Sequence, residues 1–140
     1  CLETFCSTTA LFARLRAAGI PVSYQDIYGS DPNEAAIAEL AAAFAAGDEA
    51  VTACLQSYGR DLCYAIVSLV NLLDVRAVRL GGFPYLLGEP FAELLRSILA
   101  EKFHILTSTG ELELQLFDCK YEDVRKAAVL QTLEAIFSRH

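Results

Sequence analysis
The chain has 140 residues, a net charge of −7 and a sequence pI of about 4.7. A length in this range fits one domain, and an acidic surface repels phosphate backbones, which argues against this segment itself holding DNA. The hydrophobic share of 54% and the mean hydropathy of +0.36 are high for a chain this small, and they fit either an apolar interface or an Ala-rich helical protein.

Residues 3–18 read as a helix, with Phe5, Leu11, Phe12 and Leu15 apolar and Arg14 and Arg16 near its C-terminal end, where they complement the dipole. Gly19 and Pro21 stop it. Residues 20–31 look extended, and Asp31 caps the next helix with Pro32 at its first position. That helix runs to about Ala46, with Ile37, Leu40, Ala41 and Phe44 as its core stripe. Gly47-Asp48 is then a left-handed stop followed by a new cap.

The dominant helix spans about 49–73. Val51, Leu55, Tyr58, Leu62, Ala65, Leu69 and Leu72 form its stripe, widened by Cys54, Ile66, Val70 and Leu73, so burial on more than one side is expected. Val75 to Leu80 reads as a β-branched strand, with Val78 and Leu80 on one face and Ala77 on the other. Gly81-Gly82 ends it, and Pro84 and Gly88 keep the following loop irregular. A helix follows from Pro90 to about Lys102. Phe103 to Phe117 is β-like: His104–Thr107, a turn at Thr109-Gly110, then Leu112–Leu116 alternating at period 2. A closing helix covers about 121–138. This order predicts an α/β fold, a small sheet covered by helices.

Five cysteines, at 1, 6, 54, 63 and 119, have an odd number and irregular spacing, unlike a secreted disulfide framework. Cys54 and Cys63 read as buried thiols, and a reducing cytoplasm fits best. The longest uncharged apolar stretch, Leu62 to Leu73, is too short to cross a bilayer. His104 and His140 stand alone, and no Ser/His/Asp, Cys/His or paired-carboxylate arrangement is visible, so no catalytic residue is assigned.

Three motifs carry a family resemblance. Cys1-Leu2-Glu3-Thr4-Phe5-Cys6-Ser7 resembles the run that follows the zinc loop of the ROK family (repressors, open reading frames and sugar kinases). Gly47-Asp48 is similar to the family's Ala-Gly-Asp before its long helix. Ile66–Asp74, followed by Val78-Arg79-Leu80-Gly81-Gly82, is similar to its Asn-Leu-x-Asn-Pro, hydrophobic strand and Gly-Gly-Gly. Their order and spacing make the resemblance more specific than any one alone.

The resemblance implies an actin-like, ribonuclease-H-like ATPase fold, with residues 1–140 as a single C-terminal lobe. The other lobe, the catalytic Asp, the first phosphate loop, the remaining zinc ligands and any DNA-binding domain would then precede Cys1. It implies Cys1 as a zinc ligand in the intact protein, with no zinc in this segment alone, because structural zinc needs four closed ligands. It implies Glu3 as the sugar contact, since a carboxylate accepts from two neighbouring hydroxyls; outside the motif, Glu3 reads as a helix-start residue favoured by the dipole. Gly81 and Gly82 would line the nucleotide side of the cleft, or simply end the strand. Two departures weigh against ATP: Phe83-Pro84 stands where the third glycine belongs, and Lys126-Ala127-Ala128 replaces Gly-Ala-Ala.

Two functions follow, beside a third reading of the segment as an interaction module unrelated to the family. One is a sugar-responsive transcriptional regulator, in which this segment supplies sugar binding and a homo-oligomer interface and DNA binds only through an upstream domain. The other is a glucokinase-like sugar kinase using ATP and Mg²⁺. The expected small-molecule partner is a sugar or sugar phosphate, with no membrane partner.

Overall fold
The structure, a computed structural model, describes residues 2–22, 32–102 and 112–118. Its elements run in the order α1 (Leu2–Cys6), α2 (Thr8–Ala17), α3 (Pro32–Ala45), α4 (Glu49–Leu73), β1 (Ala77–Leu80), α5 (Phe83–Leu87), α6 (Glu89–Lys102) and β2 (Glu113–Leu116). The strand expected at His104–Thr107 and the closing helix at 121–138 lie outside the described residues.

The helix expected over 3–18 is two helices. Ser7 breaks it: its backbone is extended, at φ −86° and ψ 165°, and its hydroxyl accepts from the Ala10 N–H at 3.1 Å. That N-cap satisfies a donor the new helix would otherwise leave bare. The joint between α3 and α4 follows the expected pattern, with Gly47 at φ +81° and the Asp48 carboxylate accepting from the Val51 N–H at 3.0 Å.

Helix α4 is the spine of the fold. Helices α1 and α2 pack on it, α6 packs along it, and α3 touches it while packing against α5. Its buried residues are Val51, Cys54, Leu55, Tyr58, Gly59, Cys63, Ile66 and Val70, which corrects the expected stripe. Leu69, Leu72 and Leu73 are 49%, 78% and 61% exposed. On a helix of about 3.6 residues per turn Leu69 lies five full turns beyond Val51, at the same angle. The core face itself therefore moves round α4: Val51, Leu55 and Tyr58 define it in the first half, and Cys63 with Ile66 and Val70, both part of the expected stripe, define it in the second.

Strands β1 and β2 form a two-stranded parallel sheet, with Val78 opposite Leu114 and Leu80 opposite Leu116. Parallel strands need a long crossover, and α5 and α6 lie in it. Leu114 is buried and Val78 and Leu80 half-buried, while Ala77, Arg79, Glu113 and Gln115 point outward, as the alternation predicts. The loop expected to be irregular after Gly82 holds the short helix α5. Gly82 precedes it at φ +71°, Pro84 sits in its first turn and Gly88 closes it. Pro84 needs no N–H there, so a sequence that reads as loop builds one helical turn.

A single apolar cluster joins these parts. Leu11, Phe12 and Leu15 of α2, the inner face of α4, Leu87, then Phe91, Leu95, Ile98 and Leu99 of α6, and Leu114 all belong to it. Cys54 and Cys63 are buried free thiols, as expected. Among the described residues, no helix is long and apolar enough to cross a membrane.

Gly59 permits the close approach of α6. A Cβ there would meet Ile98 Cδ1 and Leu95 Cδ2, each at 3.2 Å. Gly59→Ala should be nearly neutral in urea unfolding, because up to about 1 kcal/mol of helix propensity offsets mild crowding of mobile side-chain ends. Gly59→Val should cost about 2 kcal/mol by overpacking.

A second prediction concerns alkaline pH. Cys63 donates its thiol proton to the Leu95 carbonyl at 3.6 Å, and burial pushes its pKa from an ordinary 9.0 up to about 12. Between those values the unfolded chain has lost a proton that the folded chain keeps, so stability falls as pH rises through that window. Cys63→Ala should flatten this fall in urea midpoints measured across it. An unchanged slope would contradict the assignment.

Candidate functional site
Glu3 lies in α1, a helix of five residues. A helix this short does not hold itself together, since nucleation costs more than one turn returns. Its last carbonyls also have no partner within the helix, so neighbouring elements must supply both position and hydrogen bonds.

Tyr58 of α4 supplies one. Its side chain is fully buried, and its hydroxyl donates to the Cys6 carbonyl at 2.6 Å. Arg14 of α2 supplies the other: Nη2 donates to the Phe5 carbonyl at 3.4 Å. The same guanidinium forms an ion pair with Asp61 of α4, donates from Nη1 to Ser57 Oγ at 3.5 Å, and lies 5.7 Å from the Tyr58 ring centroid. Its positive charge over the ring face is a favourable arrangement.

The electrostatics keep these groups in the states the geometry requires. Burial above all, then the neighbouring Cys6 and Asp61, raise the Tyr58 pKa well above its ordinary 10.0 against the lowering effect of Arg14, so the phenol stays a donor. Burial, then Asp61, raise Cys6 above 9.0, with Arg14 opposing. Cys54 is likewise raised by burial and lowered by Arg14. The half-buried Cys6 thiol therefore has no feature of an activated nucleophile.

The Tyr58 ring reaches the other end of the expected site. Phe83, directly after Gly81-Gly82, packs edge-on against it with centroids 5.4 Å apart at 66°, and Phe91 of α6 lies 6.3 Å away. Edge-to-face contacts at these distances are favourable. Phe83 thus extends inward to α4 from a turn that leads from β1 into α5. Gly82 is exposed there, and a Cβ at that position would meet nothing within 4 Å. Its glycine is required by the positive φ, not by crowding.

Of the residues expected from sequence, Glu3 lies in α1 and Gly81 and Gly82 in the β1–α5 turn, and Tyr58 stands between these two segments. Cys1 and the Lys126-Ala127-Ala128 motif lie outside the described residues. Among the described residues, no group of three or more His, Cys, Asp or Glu could hold a metal ion, so those residues do not themselves compose a zinc site.

Sequence reasoning missed Tyr58, Arg14 and Asp61 as a connected group. Tyr58 reads as one more apolar position and Arg14 as a dipole partner. Asp61, the one acidic residue of α4 beyond its first turn, is the available signal.

The model of the ROK family matches residues 1–109, and the chain belongs to that family. No curated protein and no solved structure matches it. The family implies an actin-like ATPase fold, and a small parallel sheet packed with helices is consistent with part of one.

Tyr58→Phe should cost about 1–1.5 kcal/mol in urea unfolding, the net worth of one hydrogen bond whose acceptor loses its donor. Asp61→Asn should cost less, under about 1 kcal/mol, because Arg14 and Asp61 are partly exposed. That smaller cost should shrink further at high salt, while the Tyr58→Phe cost stays.

Proposed function
Proceeding from that membership, we propose that this chain is the sugar-binding and dimerising C-terminal part of a cytoplasmic, sugar-responsive transcriptional regulator. Glu3 contacts the sugar. Its carboxylate accepts hydrogen bonds from two adjacent hydroxyls, which selects orientation as well as affinity. Cys1 is a zinc ligand, with its fellow ligands contributed by residues preceding it. DNA is held by a domain upstream of Cys1, since the net charge of −7 does not suit this segment to it.

The observation that carries the choice of regulator is Phe83. A nucleotide phosphate or adenosine needs close backbone approach, which glycine provides. Here a phenylalanine stands where a third glycine would, and its ring is committed to the core against Tyr58, so that position serves packing where close backbone approach would be needed. An acidic, mostly apolar lobe with Leu69, Leu72 and Leu73 exposed along one side of α4 supports a homo-oligomer through that face.

The second reading, a sugar kinase using ATP and Mg²⁺, is favoured by the retained Gly81-Gly82 pair at the end of β1. In that case an upstream carboxylate would take the hydroxyl proton.

Isothermal titration of the full-length protein distinguishes them. The regulator should bind N-acetyl-D-glucosamine, D-glucose or D-xylose and should not bind ATP at micromolar concentration, and Glu3→Gln should weaken sugar binding about tenfold or more, the scale of a lost charge-assisted pair. Micromolar ATP affinity would overturn the regulator reading in favour of the kinase. Leu72→Asp should shift light-scattering mass toward the monomer; a wild-type monomer at high concentration would contradict the oligomer.

A further inference from the structure
Helix α1 has one turn and cannot set its own direction, so whatever fixes its two terminal carbonyls also fixes the residues ahead of them. Tyr58 holds the Cys6 carbonyl at 2.6 Å. Arg14 reaches the Phe5 carbonyl and is itself paired to Asp61. Tyr58 is anchored in turn by Phe83 and Phe91, and by the fully buried position of its ring in the core. The bond to Cys6 crosses 52 residues of chain, so it joins parts that local structure does not join.

We propose that Tyr58 is a positioning residue: its hydroxyl, assisted by Arg14 and Asp61, fixes α1 on α4 in the orientation in which Glu3 meets its sugar, and its ring ties that helix to the Gly81-Gly82-Phe83 turn. The inference rests on the reading that Glu3 contacts sugar, and it adds the part of the lobe that holds Glu3 in place. Tyr58 acts through the backbone of α1 and touches no ligand.

The substitution Tyr58→Phe removes the hydroxyl and leaves the ring to pack against Phe83 and Phe91, so the core remains. Cys6 reports on α1. Its thiol is half-buried and its pKa is raised chiefly by burial, so it should react faster when α1 lifts from α4. Cys63, fully buried in the core, reports on general loosening.

In the full-length protein under native conditions, N-ethylmaleimide labelling of each cysteine is followed by peptide mapping. Tyr58→Phe should speed Cys6 labelling roughly tenfold, the factor one hydrogen bond to the fold allows, on a timescale in which Cys63 stays unlabelled in both proteins. In titrations with N-acetyl-D-glucosamine, D-glucose and D-xylose, the same variant should weaken whichever binds by several-fold. Glu3→Gln should weaken the sugar and leave Cys6 labelling as in wild type.

Unchanged Cys6 labelling in Tyr58→Phe overturns the proposal, and so does labelling of Cys63 on the same timescale as Cys6, which marks opening of the whole core rather than of α1. Faster Cys6 labelling with intact sugar affinity also overturns it, because α1 would then not need fixing. If Glu3→Gln binds sugar like wild type, or no sugar binds, the sugar reading fails, and Cys6 labelling alone decides whether Tyr58 fixes α1.

Discussion

The hydroxyl of Tyr58 donating to the Cys6 carbonyl is the contact on which the described site depends. A tyrosine in an apolar core must find a partner for its hydroxyl or lose the hydration it gave up. Here that requirement is met by a carbonyl that a one-turn helix cannot satisfy itself. The two deficits cancel, and α1 gains a fixed position. Arg14 repeats the logic from the solvent side: it serves the Phe5 carbonyl and is steadied by Asp61. The buried bond sets geometry, while the partly exposed ion pair adds modest, salt-sensitive support.

The Tyr58 ring is held because α4 and α6 approach closely. Gly59, next to Tyr58, leaves room for Leu95 and Ile98, and Phe91 of the same helix comes up to the tyrosine ring. On the other side Phe83 arrives from the end of β1. A long central helix thus carries a small side chain facing α6 and a large one facing α1 and the glycine turn. Phe83 therefore has a role in this lobe whether or not a nucleotide ever lies near the glycines, and it is this packing that sets the chain apart from a pattern of three successive glycines.

Much of the architecture was legible from local signals. Pro32, Gly47, Asp48 and Gly82 act where backbone physics predicts, and the alternation in Glu113–Leu116 predicts which side chains turn inward. Leu69 and Leu72 fit the periodicity of α4 yet are exposed, because the face that neighbouring elements cover changes along this helix. Ser7 was passed over because an apolar pattern runs through it, although its hydroxyl caps the next helix. Helix α5 was hidden by Pro84 and by glycines at both ends. For the site, Glu3 and Gly81-Gly82 stood out through motif likeness. Tyr58, Arg14 and Asp61 did not, because the contacts that give them meaning join residues 52 and 47 positions apart, and neither periodicity nor composition carries information at that range.

In this reading α1 is held on α4 so that Glu3 can meet a sugar, and the Phe83 ring reaches Tyr58 from the glycine turn. A crystal structure of the full-length protein with its sugar bound tests this most directly. The Glu3 carboxylate should lie within hydrogen-bonding distance of two adjacent sugar hydroxyls, with the Tyr58 hydroxyl still on the Cys6 carbonyl. Sugar bound away from α1, with Glu3 turned to solvent, would contradict it.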